Sequence, residues 1–154
     1  MATVRSATAT DRERLGELAE RLVKLHHAFD PERFMGGAGI ADGYGRWLSR
    51  EAEREGAVVL VAEVEGRVVA YAYATLEARN YNDLLGPHGK LHDVFVDESA
   101  RRRGLAKELV GRVIAELEGR GAPQIVLATA VANESARALF ASLGFRPTMI
   151  EMTR

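Results

Sequence analysis

Residues 91–110, LHDVFVDESARRRGLAKELV, constrain this chain more than any other stretch. Leu91–Val96 is rich in β-branched and aromatic residues, the composition of a buried strand. Asp97-Glu98-Ser99 interrupts it. From Leu105 the apolar residues recur at 105, 109, 113 and 117 and at 106, 110 and 114, a broad apolar face with helical period. The join between strand and helix is Arg101-Arg102-Arg103-Gly104-Leu105-Ala106. The first N–H groups of a helix have no partner inside it and carry the positive end of its dipole, so a phosphate suits such a turn. Gly104 and Ala106 keep the backbone approachable, and the guanidiniums present fork-shaped donors to phosphate oxygens. A solvated basic run ahead of an ordinary helix has the same composition, and both readings stand at this point.

The whole chain narrows the classes. Its 154 residues fit one domain, residues 1–154, large enough for a conventional core. A formal charge of −1 argues against a general nucleic-acid binder. The absence of cysteine excludes disulfides, thiolate catalysis and thiolate metal sites. The N-terminus lacks a signal-peptide pattern and no segment approaches the ~20 apolar residues of a membrane span, so the expectation is a cytoplasmic protein with no membrane partner.

In chain order, Thr3–Ala7 reads as a first strand, and Thr10 with Glu13 has capping-box form ahead of an amphipathic helix over residues 11–27. Asp30-Pro31 and Gly36-Gly37 bracket an irregular segment. Ile40, Tyr44, Trp47 and Leu48 mark a second helix ending near Arg54, its aromatic stripe read as core. Ala57–Val64 and Val68–Leu76 form a hairpin across Glu65-Gly66. Glu77–Lys90 reads as a long polar loop. Gly119 and Gly121-Ala122-Pro123 stop the helix that began at Leu105, and Gln124–Thr129 is a short strand. Asn133 caps a last helix that ends at Gly144, and Phe145 with Met149–Met152 supplies final strand material.

Arg101-x-x-Gly104-x-Ala106 after Val94-Phe95-Val96 resembles motif A of the GNAT superfamily, the acyl-CoA-dependent N-acetyltransferases. Asn133-x-x-Ala136-x-x-Leu139-Phe140-x-x-Leu143-Gly144-Phe145 resembles its motif B at the appropriate separation. The resemblance covers nearly the whole chain. It implies an α/β domain with a mixed, mostly antiparallel sheet of six or seven strands and helices on both faces. It also implies acetyl-CoA as cosubstrate. The pyrophosphate would lie on Arg101, Arg102, Arg103, Gly104, Leu105, Ala106 and Lys107, and pantetheine along the backbone of Val94, Phe95 and Val96. Asn133 and Phe140 would flank the pantetheine arm. A homodimer is a further expectation from the family's habit and the long loop. Many relatives carry a tyrosine at position 140 that protonates the departing thiolate, which phenylalanine cannot do.

The implied acceptor is a primary amine of a small molecule or peptide. Amide formation needs that amine neutral, so a base must take a proton. The candidates are Asp93 and His92 on the central strand, Glu63 on a neighbouring one and Glu77 at a strand end. Simple alternation points 92 and 93 to opposite faces. Arg33, Phe34, Tyr71, Tyr73 and Tyr81 are candidate acceptor contacts. No histidine spacing matches a metal site. A non-catalytic acyl-CoA-binding or sensing module is the alternative, motivated by Phe140. A nucleotide-binding domain is a weaker one, since GxxxxGK[ST] is absent.

Overall fold

The computed structural model describes all 154 residues. In chain order the elements are β1 (Ala2–Ser6), α1 (Arg12–Phe29), α2 (Ile40–Glu53), β2 (Ala57–Val64), β3 (Arg67–Glu77) and β4 (His88–Val96). α3 (Leu105–Gly119), β5 (Ile125–Leu127) and α4 (Glu134–Ser142) follow. Single 3-10 turns lie at Ala9–Asp11 and Glu98–Ala100.

One sheet runs β1-β2-β3-β4-β5; the first four strands pair antiparallel, and β5 runs parallel to β4. β2 and β3 read as nearly continuous apolar runs because helices cover both faces, so neither side of either strand meets water. On one face Val58, Leu60, Ala62, Leu91 and Val96 pack on Leu105, Leu109, Val113 and Leu117 of α3. On the other, Val59, Val61, Tyr71, Tyr73 and Phe95 pack on Leu15 and Leu18 of α1 and Leu48 of α2.

The sheet has five strands rather than six or seven. The difference is the C-terminal segment, which runs on from Phe145 without a strand and leaves Met149, Ile150 and Met152 exposed. Apolar residues make a strand only where a neighbouring strand and a packing surface receive them, and this segment has neither. The segment 124–129 shortens to Ile125–Leu127 for the same reason. The expected loop over 77–90 is shorter, because β3 runs to Glu77 and pairs it with His88, Leu76 with Gly89 and Thr75 with Lys90. Ladder pairing outweighs the weak strand preference of glycine and lysine there. The capping box forms between Thr8 and Asp11 rather than Thr10 and Glu13, because a 3-10 turn precedes the first long helix, whose N-cap position is Asp11.

α2 rests on α1 through two glycines. A Cβ on Gly16 would stand 2.1 Å from the Ala41 carbonyl oxygen, and one on Gly45 would stand 2.5 Å from that of Arg12. Glu20 of α1 accepts the Ala41 N–H at 3.0 Å and so caps the start of α2. This close approach brings Tyr44, Trp47 and Glu51 over the sheet. Gly16→Ala forces the helices apart and should cost about 1–3 kcal/mol. Urea unfolding should show a lower midpoint with an unchanged slope.

Candidate functional site

The β3–β4 ladder slips once. Tyr73 faces Asp93 and Ala74 faces Leu91, leaving His92 as the extra residue of a bulge. The bulge cancels the alternation expected at 92 and 93. Leu91 and Val94 face α3, while His92 and Asp93 both turn toward α1 and α2. The His92 ring stacks on Tyr73, with centroids 4.9 Å apart and planes 22° from parallel. The Asp93 carboxylate accepts the Tyr44 hydroxyl at 2.5 Å and the Tyr71 hydroxyl at 3.0 Å.

Around this pair the α2 side chains build a wall. Trp47 meets Tyr44 at 5.5 Å and Tyr73 at 5.0 Å, both edge-on. Glu51 accepts the Tyr73 hydroxyl at 2.6 Å and an Arg54 guanidinium N–H at 2.8 Å. Thr75 Oγ1 lies 2.7 Å from His92 Nε2 and 2.7 Å from a Glu77 oxygen. Burial pushes the Asp93 carboxyl above its usual range, and the two phenol hydrogen bonds restrain the rise. Burial and the Asp93 charge push Tyr44 and Tyr71 upward, so both remain protonated donors. Burial lowers the His92 imidazole, helped by Lys90 and opposed by Asp93, Glu77 and Glu51.

The other candidates scatter. Glu63, near the far end of β2, pairs with Arg5 at 2.7 Å, and the same guanidinium holds Asp11. It does not meet Asp93 or His92. Arg33 lies over the Phe34 ring at 4.8 Å and pairs with Glu151 of the C-terminal segment. Phe34 meets His26 edge-on at 5.1 Å. Arg33 and Phe34 lie on the connection between α1 and α2. Tyr81 stands exposed on the 78–87 loop. Tyr44, Glu51 and Thr75 were not among the sequence candidates. Tyr44 carried the periodicity of a core residue, and nothing local marked the other two.

The opposite side of β4 is open. β5 pairs only with Gly89, Lys90 and Leu91, then ends, so the two strands part where the bulge begins. The Asp97 N–H donates to the Val69 carbonyl at 2.8 Å. The antiparallel alternation that follows turns the backbone groups of Phe95 toward β3 and those of Val94 and Val96 toward the gap. The Val96 carbonyl already accepts Arg101 Nε at 3.0 Å, and that guanidinium lies 5.6 Å over the Phe95 ring. Arg101 therefore braces the turn.

Arg102 and Arg103 are exposed and make no ion pair within the chain. Gly104 has φ +75°, and a Cβ there would meet no atom within 4 Å. Its left-handed backbone, with open space beside it, suits glycine. The first backbone bond of α3 runs from Glu108 N–H to the Gly104 carbonyl, so the N–H groups of Leu105, Ala106 and Lys107 have no acceptor in the chain. The Leu105 side chain is buried under α3, leaving only its backbone for a ligand. Asn133 Oδ1 accepts the Ala136 N–H at 3.2 Å, and Phe140 packs against the α3 core with its ring 6.0 Å from Phe145. These residues fit a phosphorylated ligand with an extended arm: free backbone donors and two unpaired guanidiniums at the turn, and exposed strand backbone in the gap. No cluster of histidine, aspartate and glutamate side chains is placed to hold a metal ion, and no helix is long and apolar enough to cross a membrane.

A turn of this kind beside two splayed strands defines an anion-accepting class of α/β fold. The chain belongs to the acetyltransferase (GNAT) family, whose sequence model matches residues 19–145. It is 34% identical over 102 residues to mycothiol acetyltransferase of Saccharomonospora viridis, a match covering 62% of this chain and 33% of that protein. It is 39% identical over 72 residues to glucosamine 6-phosphate N-acetyltransferase 1 of Oryza sativa subsp. japonica, covering 46% of this chain and 43% of that protein. The matched span is thus less than half the length of either relative. Among solved structures, a mutant of the BH1408 protein from Bacillus halodurans superposes with a TM-score of 0.83 at 21% identity, covering 99% of this chain and 98% of that one. Aminoglycoside N-acetyltransferase AAC(6')-Iy in complex with CoA gives 0.77 at 20% identity, covering 100% and 93%. At these identities the structures establish a shared fold.

One ion cluster holds the turn to the rest of the domain. Asp97 accepts Arg14 at 2.6 Å, Arg21 at 3.1 Å and the Ser99 N–H at 3.2 Å. Burial would raise its carboxyl, but the Ser99 N–H and the two guanidiniums outweigh it and hold the pKa at about 2. A depressed carboxylate stabilises the fold above its unfolded pKa of ~3.9 and loses that contribution as pH falls toward its folded value. Asp97→Asn should cost about 2 kcal/mol at pH 7. Thermal melts should show the gap from wild type closing between about pH 4 and pH 2.

Proposed function

We propose that this chain is an N-acetyltransferase that moves an acetyl group from acetyl-CoA to a primary amine of a small molecule or peptide. The observation that carries this reading is the bulge in β4. It turns His92 and Asp93 together toward the α1–α2 side at the residue where β5 leaves β4. The two substrates' sites thereby share one strand. The names of the mycothiol, glucosamine 6-phosphate and aminoglycoside acetyltransferases to which the chain is similar support amine acetylation, and they leave the acceptor open.

The cosubstrate supplies an activated thioester. The N–H groups of Leu105, Ala106 and Lys107, with Arg102 and Arg103, bind its phosphates, and Val94 and Val96 offer strand backbone to its arm. Tyr73, Tyr44 and Trp47 wall the acceptor side, and the Asp93 and Glu51 carboxylates attract a cationic amine into a partly desolvated site, where charges interact more strongly than in water. His92, lowered by burial, stays neutral at pH 7 and accepts the amine proton. Phe140 has no acidic hydrogen, so the departing thiolate takes its proton from water or from the protonated His92. That same residue motivates the alternative of a non-catalytic acyl-CoA-binding module.

Thermal unfolding with CoA, acetyl-CoA, ATP and phosphate is the first test. Either CoA species at ~100 times its dissociation constant should add about 2.7 kcal/mol. Gly104→Trp should abolish that shift. No stabilisation by CoA at saturation would overturn the proposal, whereas stabilisation without thiol release across an amine panel would favour the binding module. With an active amine in hand, kcat/KM should fall on acidification with a midpoint below the ordinary histidine value of ~6.5, as His92 becomes protonated. Lys90, Asp93, Glu77, Glu51 and Tyr73 surround that ring and set the limb's position. His92→Gln should remove the limb and lower kcat by about 100-fold or more. An unchanged profile would exclude His92 as the base.

A further inference from the structure

We infer that Thr75 and Glu77 fix His92 in the tautomer that carries its hydrogen on Nε2, leaving Nδ1 as the atom that accepts a proton from the acceptor amine. The tautomer follows from the hydrogen-bond network alone; its catalytic use rests on the acetyltransferase reading above.

Thr75 is fully buried on β3, and its hydroxyl oxygen has two close neighbours: a Glu77 carboxylate oxygen and His92 Nε2, each at 2.7 Å. The hydroxyl owns one hydrogen, and an ionised carboxylate can only accept. Thr75 therefore donates to Glu77, and its oxygen lone pair must receive a hydrogen from Nε2. In the neutral ring only one nitrogen bears a hydrogen, so the lone pair belongs to Nδ1. The opposite tautomer would set two acceptor atoms against each other at 2.7 Å, or strip Glu77 of its donor.

The ring is also held in orientation. It stacks on Tyr73, whose hydroxyl is anchored to Glu51 and whose ring meets Trp47 edge-on. Nδ1 has no hydrogen-bond partner in the chain, and the His92 side chain is 28% exposed. The bulge is what brings His92 into reach of Thr75, because a regular register would place position 92 on the α3 face. When the amine, already neutral after giving its extra proton to solvent, attacks, its nitrogen bonds to the acyl carbon, the carbon–sulfur bond breaks and one proton passes from nitrogen to Nδ1. The imidazolium keeps its Nε2 hydrogen on Thr75, and the Nδ1 proton returns to the thiolate or to solvent. Thr75 and Glu77 touch neither substrate and change no protonation state. They are positioning residues.

Two-bond 1H–15N correlation spectra of the 15N-labelled full chain, recorded without substrate above the His92 titration, report the tautomer directly. The expected pattern is a protonated Nε2 and a bare Nδ1. Thr75→Val should convert it to a mixture and lower kcat roughly 10-fold with KM for acetyl-CoA unchanged. Thr75→Ser should restore both. Because Thr75 is buried, Glu77→Ala at the exposed strand end provides a second route. It frees the hydroxyl hydrogen to turn toward Nε2, so the Nδ1–H form should rise. A wild-type spectrum with hydrogen on Nδ1, or a pattern unmoved in both Thr75→Val and Glu77→Ala, would overturn the inference. An Nε2–H pattern in a protein that acetylates no amine would uphold the relay and defeat the acetyltransferase reading instead.

Discussion

A single unpaired residue in β4 sets the geometry on which the rest of the site depends. In a regular ladder His92 would face α3 and Asp93 would face α1 and α2, and the two polar groups would sit in different layers. The bulge inserts His92 without a cross-strand partner, so both groups enter the same layer. β5 parts from β4 at the same place, pairing no further than Leu91. One local irregularity thus opens strand backbone on one edge and gathers titratable side chains on one face.

The two faces of the sheet then hold different tasks. The α3 face is an apolar core with an open helix N-terminus at its rim, and that N-terminus is oriented by ties behind it: Arg101 on the Val96 carbonyl and Asp97 on Arg14 and Arg21. The α1–α2 face buries hydroxyls and carboxylates among aromatic rings. Burying such groups is costly unless each finds a partner, and here Tyr44 and Tyr71 serve Asp93, Tyr73 serves Glu51 and Thr75 serves both Glu77 and His92. A network partnered in this way holds its rings and carboxylates in one arrangement, as proton transfer at a defined atom requires.

The residues whose meaning is local were legible before the fold was known. Arg101–Ala106, the Glu65-Gly66 hairpin, the Asn133 cap and the helical periods of α1, α2 and α3 depend on neighbours within a few positions, and the structure places them as read. The sites that depend on distant partners were not. Glu63 and His92 look alike as polar residues in apolar strands, yet one is taken by Arg5 and the other meets Thr75. Tyr44 carried a core pattern and supplies a hydroxyl to a residue 49 positions away. The C-terminal apolar run lacked the neighbouring strand that would have made it a sixth.

By itself, then, the sequence determined the family, the anion-ready turn and the order of strands and helices, because backbone propensity, capping and period act over one or two turns of chain. Tertiary structure decided the strand count, the register slip at His92 and the partners of Asp93, Glu51 and Thr75. Those outcomes depend on which edges and surfaces remain available once all the elements have packed, and no single segment carries that information.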